Sequence, residues 1–141
     1  MTTLRVVPDT NVVISGFLFG GPPAHLLKYA VAGTIRCFTS LPILDEVRDV
    51  LLRPRFGLSH EQALCLVEEL REACTLVTPT RRIRVITADP DDDMILACGA
   101  EADADLIVSG DSHLLDLGQW ERIRILSPSN ALGEIEGRHG I

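Results

Sequence analysis

Lysine is almost missing from this chain: of 13 basic residues only Lys28 is a lysine, and the rest are arginines. Chemistry that depends on a lysine late in the chain is therefore excluded. The four cysteines, Cys37, Cys65, Cys74 and Cys98, form no C-x-x-C pair. Three of them sit among apolar residues, so buried free thiols are expected rather than disulfides or a zinc site. No uncharged apolar run is long enough to cross a bilayer, and the N-terminus shows no signal-peptide pattern; the expectation is a soluble, cytoplasmic protein with no membrane association. One tryptophan and one tyrosine give little support to an aromatic platform for stacking bases. Basic charge is also short: 20 acids against 13 bases leave a net charge of −7, whereas a generic nucleic-acid-coating protein is basic. Either nucleic acid is not the ligand, or much of the negative charge is concentrated in a metal site.

What is present is a core. Hydrophobic residues make up 46% of 141 residues and mean hydropathy is +0.22, which excludes disorder and fits one folded domain. We expect that domain over residues 1–136, with a flexible tail at 137–141. Short apolar runs alternate with helical patterns, the signature of an α/β domain with a mostly parallel sheet. Strands are predicted at Leu4–Val7, Ile35–Phe38, Thr75–Val77, Asp105–Val108 and Ile123–Leu126. Helices are predicted at Asn11–Leu18, Pro23–Val31, Pro42–Leu52, His60–Cys74, Pro90–Ala102, Ser112–Leu115 and Ser129–Glu134. Gly20-Gly21-Pro22-Pro23 separates the first two helices, and Arg53-Pro54-Arg55 ends the third. Neither an internal repeat nor a linker is evident.

Asp9 ends the first apolar run and opens the first helix, while Asp111 follows Ser109-Gly110 at the end of the fourth run. Each is explicable alone as a helix cap or turn residue. Together they place carboxylates at the carboxyl ends of two strands, where open parallel sheets bind their ligands. Glu46 borders the apolar stripe Ile43, Leu44, Val47, Val50 and Leu51, so it either snorkels to solvent or faces a cleft. In Asp89-Pro90-Asp91-Asp92-Asp93, Asp89 reads as an N-cap and Pro90 as the first helical residue. The aspartates that follow suit the helix dipole. Asp92 shares a face with Ile95, Leu96 and Gly99 and should point inward, whereas Asp91 should be more solvated. The contributions of Asp89 and Asp93 stay open.

If Asp9, Glu46, Asp92 and Asp111 converge, their repulsion costs several kcal/mol without a counter-ion. Hard divalent ions such as Mg²⁺ or Mn²⁺ prefer such oxygen donors, and they suit phosphodiester hydrolysis. A bound cation would also make the pocket tolerable to a phosphate backbone, which resolves the tension with the negative net charge.

These segments resemble the PIN-domain proteins, in particular the single-domain bacterial group of toxin–antitoxin toxins. The resemblance is carried by Val7-Pro8-Asp9-Thr10-Asn11-Val12 and by Ile43-Leu44-Asp45-Glu46-Val47 leading to Leu51-Leu52-Arg53-Pro54-Arg55-Phe56. It continues in Asp89-Pro90-Asp91-Asp92 and in Ala104-Asp105-Leu106-Ile107-Val108-Ser109-Gly110-Asp111, in that order. It implies a Rossmann-like α/β/α sandwich with a mostly parallel central sheet. It further implies a Mg²⁺- or Mn²⁺-dependent ribonuclease in which Asp9, Glu46, Asp92 and Asp111 are the catalytic and metal-binding acids. Asp9 and Asp111 would ligate directly, Glu46 and Asp92 partly through water, with Asn11 and Ser109 in support. No histidine is needed, and His25, His60, His113 and His139 are expected at surface or structural positions. A small antitoxin partner and a homodimer or higher oligomer are implied as well.

Two residues depart from the family pattern. Pro8 stands where an aliphatic residue is usual and removes a ladder donor. Gly99 replaces the usual alanine and should slightly loosen its helix. For RNA contacts the candidates are Arg81, Arg82 and Arg84, then Arg53 and Arg55, since arginine can clamp phosphates; a solvated loop or ion pairs explain them equally well. Receiver domains and haloacid-dehalogenase-like enzymes also put an aspartate after the first strand. The latter would want Asp-x-Asp there, and both classes resemble folds with a late lysine. The stronger rival is a PIN fold kept as a non-catalytic protein-binding module.

Overall fold

The computed structural model describes residues 3–84 and 90–141. The expected cap Asp89 lies outside them. Among the described residues six strands form one sheet: β1 (Arg5–Pro8), β2 (Arg36–Thr39), β3 (Cys74–Leu76), β4 (Leu106–Val108), β5 (Gln119–Trp120) and β6 (Ile123–Leu126), in the order β3-β2-β1-β4-β6-β5. All neighbours are parallel except β5 and β6. Successive strand residues face opposite sides of a sheet. Val6 and Val7 are both fully buried, as are Leu106, Ile107 and Val108, so both faces are covered. That covering is what makes the central strands read as unbroken apolar runs.

Among the described residues seven helices supply it: α1 (Thr10–Leu18), α2 (Pro22–Ala32), α3 (Leu41–Leu51), α4 (His60–Ala73), α5 (Pro90–Ala102), α6 (Ser112–Leu117) and α7 (Pro128–His139). The stripe of α3 buries Ile43, Leu44, Val47, Val50 and Leu51, as the helical spacing requires. Each such residue contributes about 1.5–3 kcal/mol relative to exposure. None of the described helices is long and apolar enough to cross a membrane.

Chain order sets the position of the site. After β1 the chain builds outward through β2 to β3, then α5 carries it back to β4 on the other side of β1. The strand order therefore reverses between β1 and β4. Pro8 pairs with Val108 at that point, which brings Asp9 beside Ser109. Pro8 leaves the next ladder bond in place. The Asp9 N–H still donates to the Val108 carbonyl at 2.9 Å, so the donor that proline lacks faces β2, beyond the last paired residue on that side.

Gly99 has a different role from the loosening expected of it. A Cβ there would lie 3.0 Å from Ile107 Cδ1 and 3.1 Å from Ile123 Cδ1. The glycine lets α5 pack closely on β4 and β6. Three thiols are buried and Cys65 is exposed, all four free. Cys37 and Cys74 are register partners on β2 and β3, and burial pushes the Cys98 thiol up to about 12. Two further differences from the predicted elements stand out. The short strand β5 was not foreseen, and α7 continues past Glu134 to His139, through the segment expected to be a tail.

Candidate active site

Six polar or charged side chains are buried among the described residues: Asp9, Thr10, Thr39, Ser40, Asp92 and Ser109. All lie at the carboxyl ends of β1, β2 and β4 or at the start of α5. Buried polarity is costly unless it is partnered, so its concentration at one edge marks that edge for something other than packing.

Asp9 caps α1. Its Oδ1 accepts from the Val12 N–H at 2.8 Å, and its Oδ2 accepts from the Ser109 hydroxyl. Ser109 in turn accepts from the Asp111 N–H at 2.9 Å, so one hydroxyl links the two strand ends. Asp111 caps α6, accepting from the N–H groups of His113 and Leu114 at 2.9 and 3.2 Å. The capping role and the site role are compatible: capping is how the fold fixes the direction of each carboxylate. Burial raises the Asp9 carboxyl above its usual range. The Ser109 hydroxyl and the Val12 N–H pull it back, and the Asp111 charge pushes it further up.

From the helices, Asp92 is 7% exposed and shares the buried side of α5 with Ile95, Leu96 and Gly99. Glu46 is half-buried on α3, and its Oε2 accepts from the Thr10 hydroxyl at 2.9 Å. These acids meet in one small pocket of about 50 Å³ lined by Asp9, Thr10, Asn11, Glu46, Asp91, Asp92, Ile95 and Asp111. Asp91, expected to be solvated, is exposed and also lines it. Asp93 does not line it.

Two site neighbours escape a reading of the sequence. Thr10 positions Glu46. His113, read as surface or structural, brings Nδ1 to 3.7 Å from Asp111 and 4.0 Å from Asp92. Ligand atoms of Asp92, Asp111 and His113 all lie within 4.8 Å of one another. The only sequence signal for His113 is its place two residues after Asp111.

The arginines divide. Arg81 is at the opposite edge, paired with Glu121 through two hydrogen bonds of 3.0 Å and set over the Trp120 ring at 5.3 Å. It lines a cavity with Asp103, Ala104 and Arg122, at the amino ends of β4 and β6. Arg82 and Arg84 are exposed on the segment that follows it. Arg53 and Arg55 are exposed at the 3-10 turn Pro54–Phe56, and Arg55 lines a groove that shares Asn11 with the acidic pocket.

The donor set fits a hard divalent ion. It consists of carboxylate oxygens on four separate elements around one small pocket, and such oxygens are the donors that a hard divalent ion prefers.

An α/β protein with acids gathered at the reversal point of a parallel sheet is thus defined by geometry alone. The match to known proteins is specific: the PIN domain model covers residues 5–113, and the chain belongs to that family, whose domains are generally nucleases. In structure it is similar to the PIN domain of T. brucei RRP44, with a TM-score of 0.53 and 13% identity. That likeness covers 99% of this chain and 84% of that one, and at such identity it speaks to the fold alone. No curated protein matches the chain.

Proposed function

We propose that the chain is a ribonuclease that hydrolyses RNA phosphodiester bonds with Mg²⁺ or Mn²⁺, and that it is the toxin of a toxin–antitoxin pair. The observation that carries the nuclease reading is the meeting of Asp9, Glu46, Asp92 and Asp111 in one pocket at the switch point of the sheet. A divalent ion held there would supply Lewis acidity toward a water and the scissile phosphate.

The chain's own residues do the rest. Asp9 and Asp111 offer oxygens from the strand ends, and Glu46 and Asp92 face them from α3 and α5. Thr10 fixes the Glu46 carboxylate, and Ser109 ties Asp9 to the Asp111 backbone. Preorganised donors of this kind need no rearrangement during reaction. Asn11, exposed on the pocket wall, is placed to donate its amide to a phosphate oxygen. His113 sits against Asp111 and Asp92, where it could join them around a bound ion.

The toxin role, a small antitoxin partner, a homodimeric or larger assembly, a cytoplasmic setting and a single nuclease domain over residues 1–136 rest on the sequence resemblance. A protein partner has one structural support: an apolar cleft of about 410 Å³ lined by Phe17, Leu27, Val31 and Leu66, with Val31 75% exposed. The nuclease reading is tested by incubating the purified chain with single-stranded RNA. Cleavage should require Mg²⁺ or Mn²⁺ and vanish in Asp9→Asn. Cleavage that survives both EDTA and Asp9→Asn would sink it.

A further inference from the structure

Next to the acidic pocket lies a larger groove of about 660 Å³, whose lining includes Asn11, Ser15, Phe19, Arg55 and Phe56. Asn11 lines both cavities, so the two adjoin at that residue. Asn11, Ser15 and Phe19 are spaced four apart along one side of α1 and its C-cap. At about 1.5 Å per residue, that side runs roughly 12 Å away from the carboxylates.

Phe19 is 71% exposed, unusual for so large an apolar ring. Gly20 and Gly21 follow it at φ 79° and 72° and turn the chain sharply away. Phe56 stands across from it, with ring centroids 6.3 Å apart and planes inclined by 52°. The Arg55 guanidinium sits 4.7 Å from the centre of the Phe56 ring. Counting only tryptophan and tyrosine overlooks these phenylalanines, which come together only in the folded chain.

The groove therefore combines an exposed aromatic face, a cation beside it, and an amide and a hydroxyl along α1. Ile14, Leu18 and Val50 add an apolar floor that would suit a peptide or a base alike, and the cation, Asn11 and Ser15 at its margin favour the nucleotide. A nucleotide uses all of them: a ring for its base, polar groups for the base edge, and arginine for a phosphate.

We propose that this groove is a base-stacking subsite for single-stranded nucleic acid, with Phe19 carrying a base and Arg55 holding the adjoining phosphate. The proposal deepens the nuclease reading and rests on it for why a strand should run from this groove into the acidic pocket. Its claim concerns binding, so it is tested by binding in EDTA, where the nuclease reading allows no cleavage.

The probe is a fluorescently labelled oligouridylate, followed by anisotropy. Phe19 is exposed, so its truncation spares the core. Phe19→Ala should weaken binding about tenfold or more, and Phe19→Trp should retain it. An abasic strand of equal length should bind wild type and Phe19→Ala alike. Arg55→Ala should lower the slope of log affinity against log salt by about 0.7.

Unchanged oligouridylate binding in Phe19→Ala would overturn the subsite. So would an equal loss with the abasic strand. A change in sedimentation of Phe19→Ala without a change in RNA affinity would assign the groove to a protein contact and overturn it too. Asp9-dependent cleavage together with oligouridylate binding indifferent to Phe19 leaves the nuclease reading standing and the subsite refuted. Phe19-dependent binding without any cleavage does the reverse.

Discussion

The two edges of the sheet treat charge in opposite ways. At the amino edge, charged groups have neutralising or polar partners. Arg81 and Glu121 share two hydrogen bonds, the Asp105 carboxylate accepts from the Arg5 N–H at 2.9 Å, and the Arg5 guanidinium lies over Phe38 at 4.4 Å. At the carboxyl edge, acids gather: Asp9, Glu46, Asp91, Asp92 and Asp111 line one pocket, and among the described residues His113 stands beside Asp111 and Asp92. Paired charge at the surface adds little and costs little. Like charge held partly out of water opposes folding, and the apolar core must offset it. Such an arrangement makes physical sense when a cation completes it.

The contrast breaks most visibly at Asp9. Asp9→Asn should lower RNA cleavage by several kcal/mol of transition-state stabilisation, about a thousandfold. The same change should stabilise the metal-free fold. The folded Asp9 carboxyl lies above its usual range, so the folded chain binds that proton more tightly than the unfolded chain does. Its contribution to stability is therefore full below the unfolded value and is lost as pH rises through the folded one. Melting curves in EDTA should show Asp9→Asn more stable than wild type near neutral pH, with the gap closing on acidification. Parallel curves across that range would remove the burial argument.

Thr10→Val comes next. It keeps every carboxylate but removes the hydrogen bond that the Thr10 hydroxyl donates to Glu46. The metal concentration giving half-maximal cleavage should rise about 10- to 100-fold, as for other groups that orient metal ligands. Gly99→Ala should leave the site alone and destabilise the fold by about 1 kcal/mol, because the new methyl meets Ile107 and Ile123 at 3.0 and 3.1 Å; denaturant midpoints would measure it. Arg81→Ala should do least. It breaks an exposed pair at the other edge, so cleavage should be unchanged and melting barely shifted. A large loss of cleavage there would mean that the basic cluster, not the acidic edge, sets RNA affinity.

Much of this was legible in the sequence, for reasons that differ by residue. Asp92 could be aimed inward because helical spacing ties it to Ile95, Leu96 and Gly99, and the Glu46 border position followed from the α3 stripe. The five main strands were visible because residues buried on both faces read as apolar runs. The two-residue strand β5 has no periodicity to find. The last helix was expected to stop at Glu134, yet α7 is held further by burial of Ala131 and Ile135 and by the Tyr29 hydroxyl donating to Glu136 at 2.7 Å. That contact spans 107 positions in sequence, and no local pattern reports it. The same holds for Thr10 with Glu46 and for Arg81 with Glu121, whose pairing turned a phosphate-binding candidate into an ion pair.

Calorimetric titration of Mn²⁺ into the metal-free chain tests the carboxyl edge most directly. If the pocket is a metal centre, wild type takes up the ion at millimolar concentrations or below, Asp9→Asn and Asp111→Asn lose that uptake, and Arg81→Ala keeps it. No uptake by wild type, or uptake indifferent to Asp9 and Asp111, would contradict it.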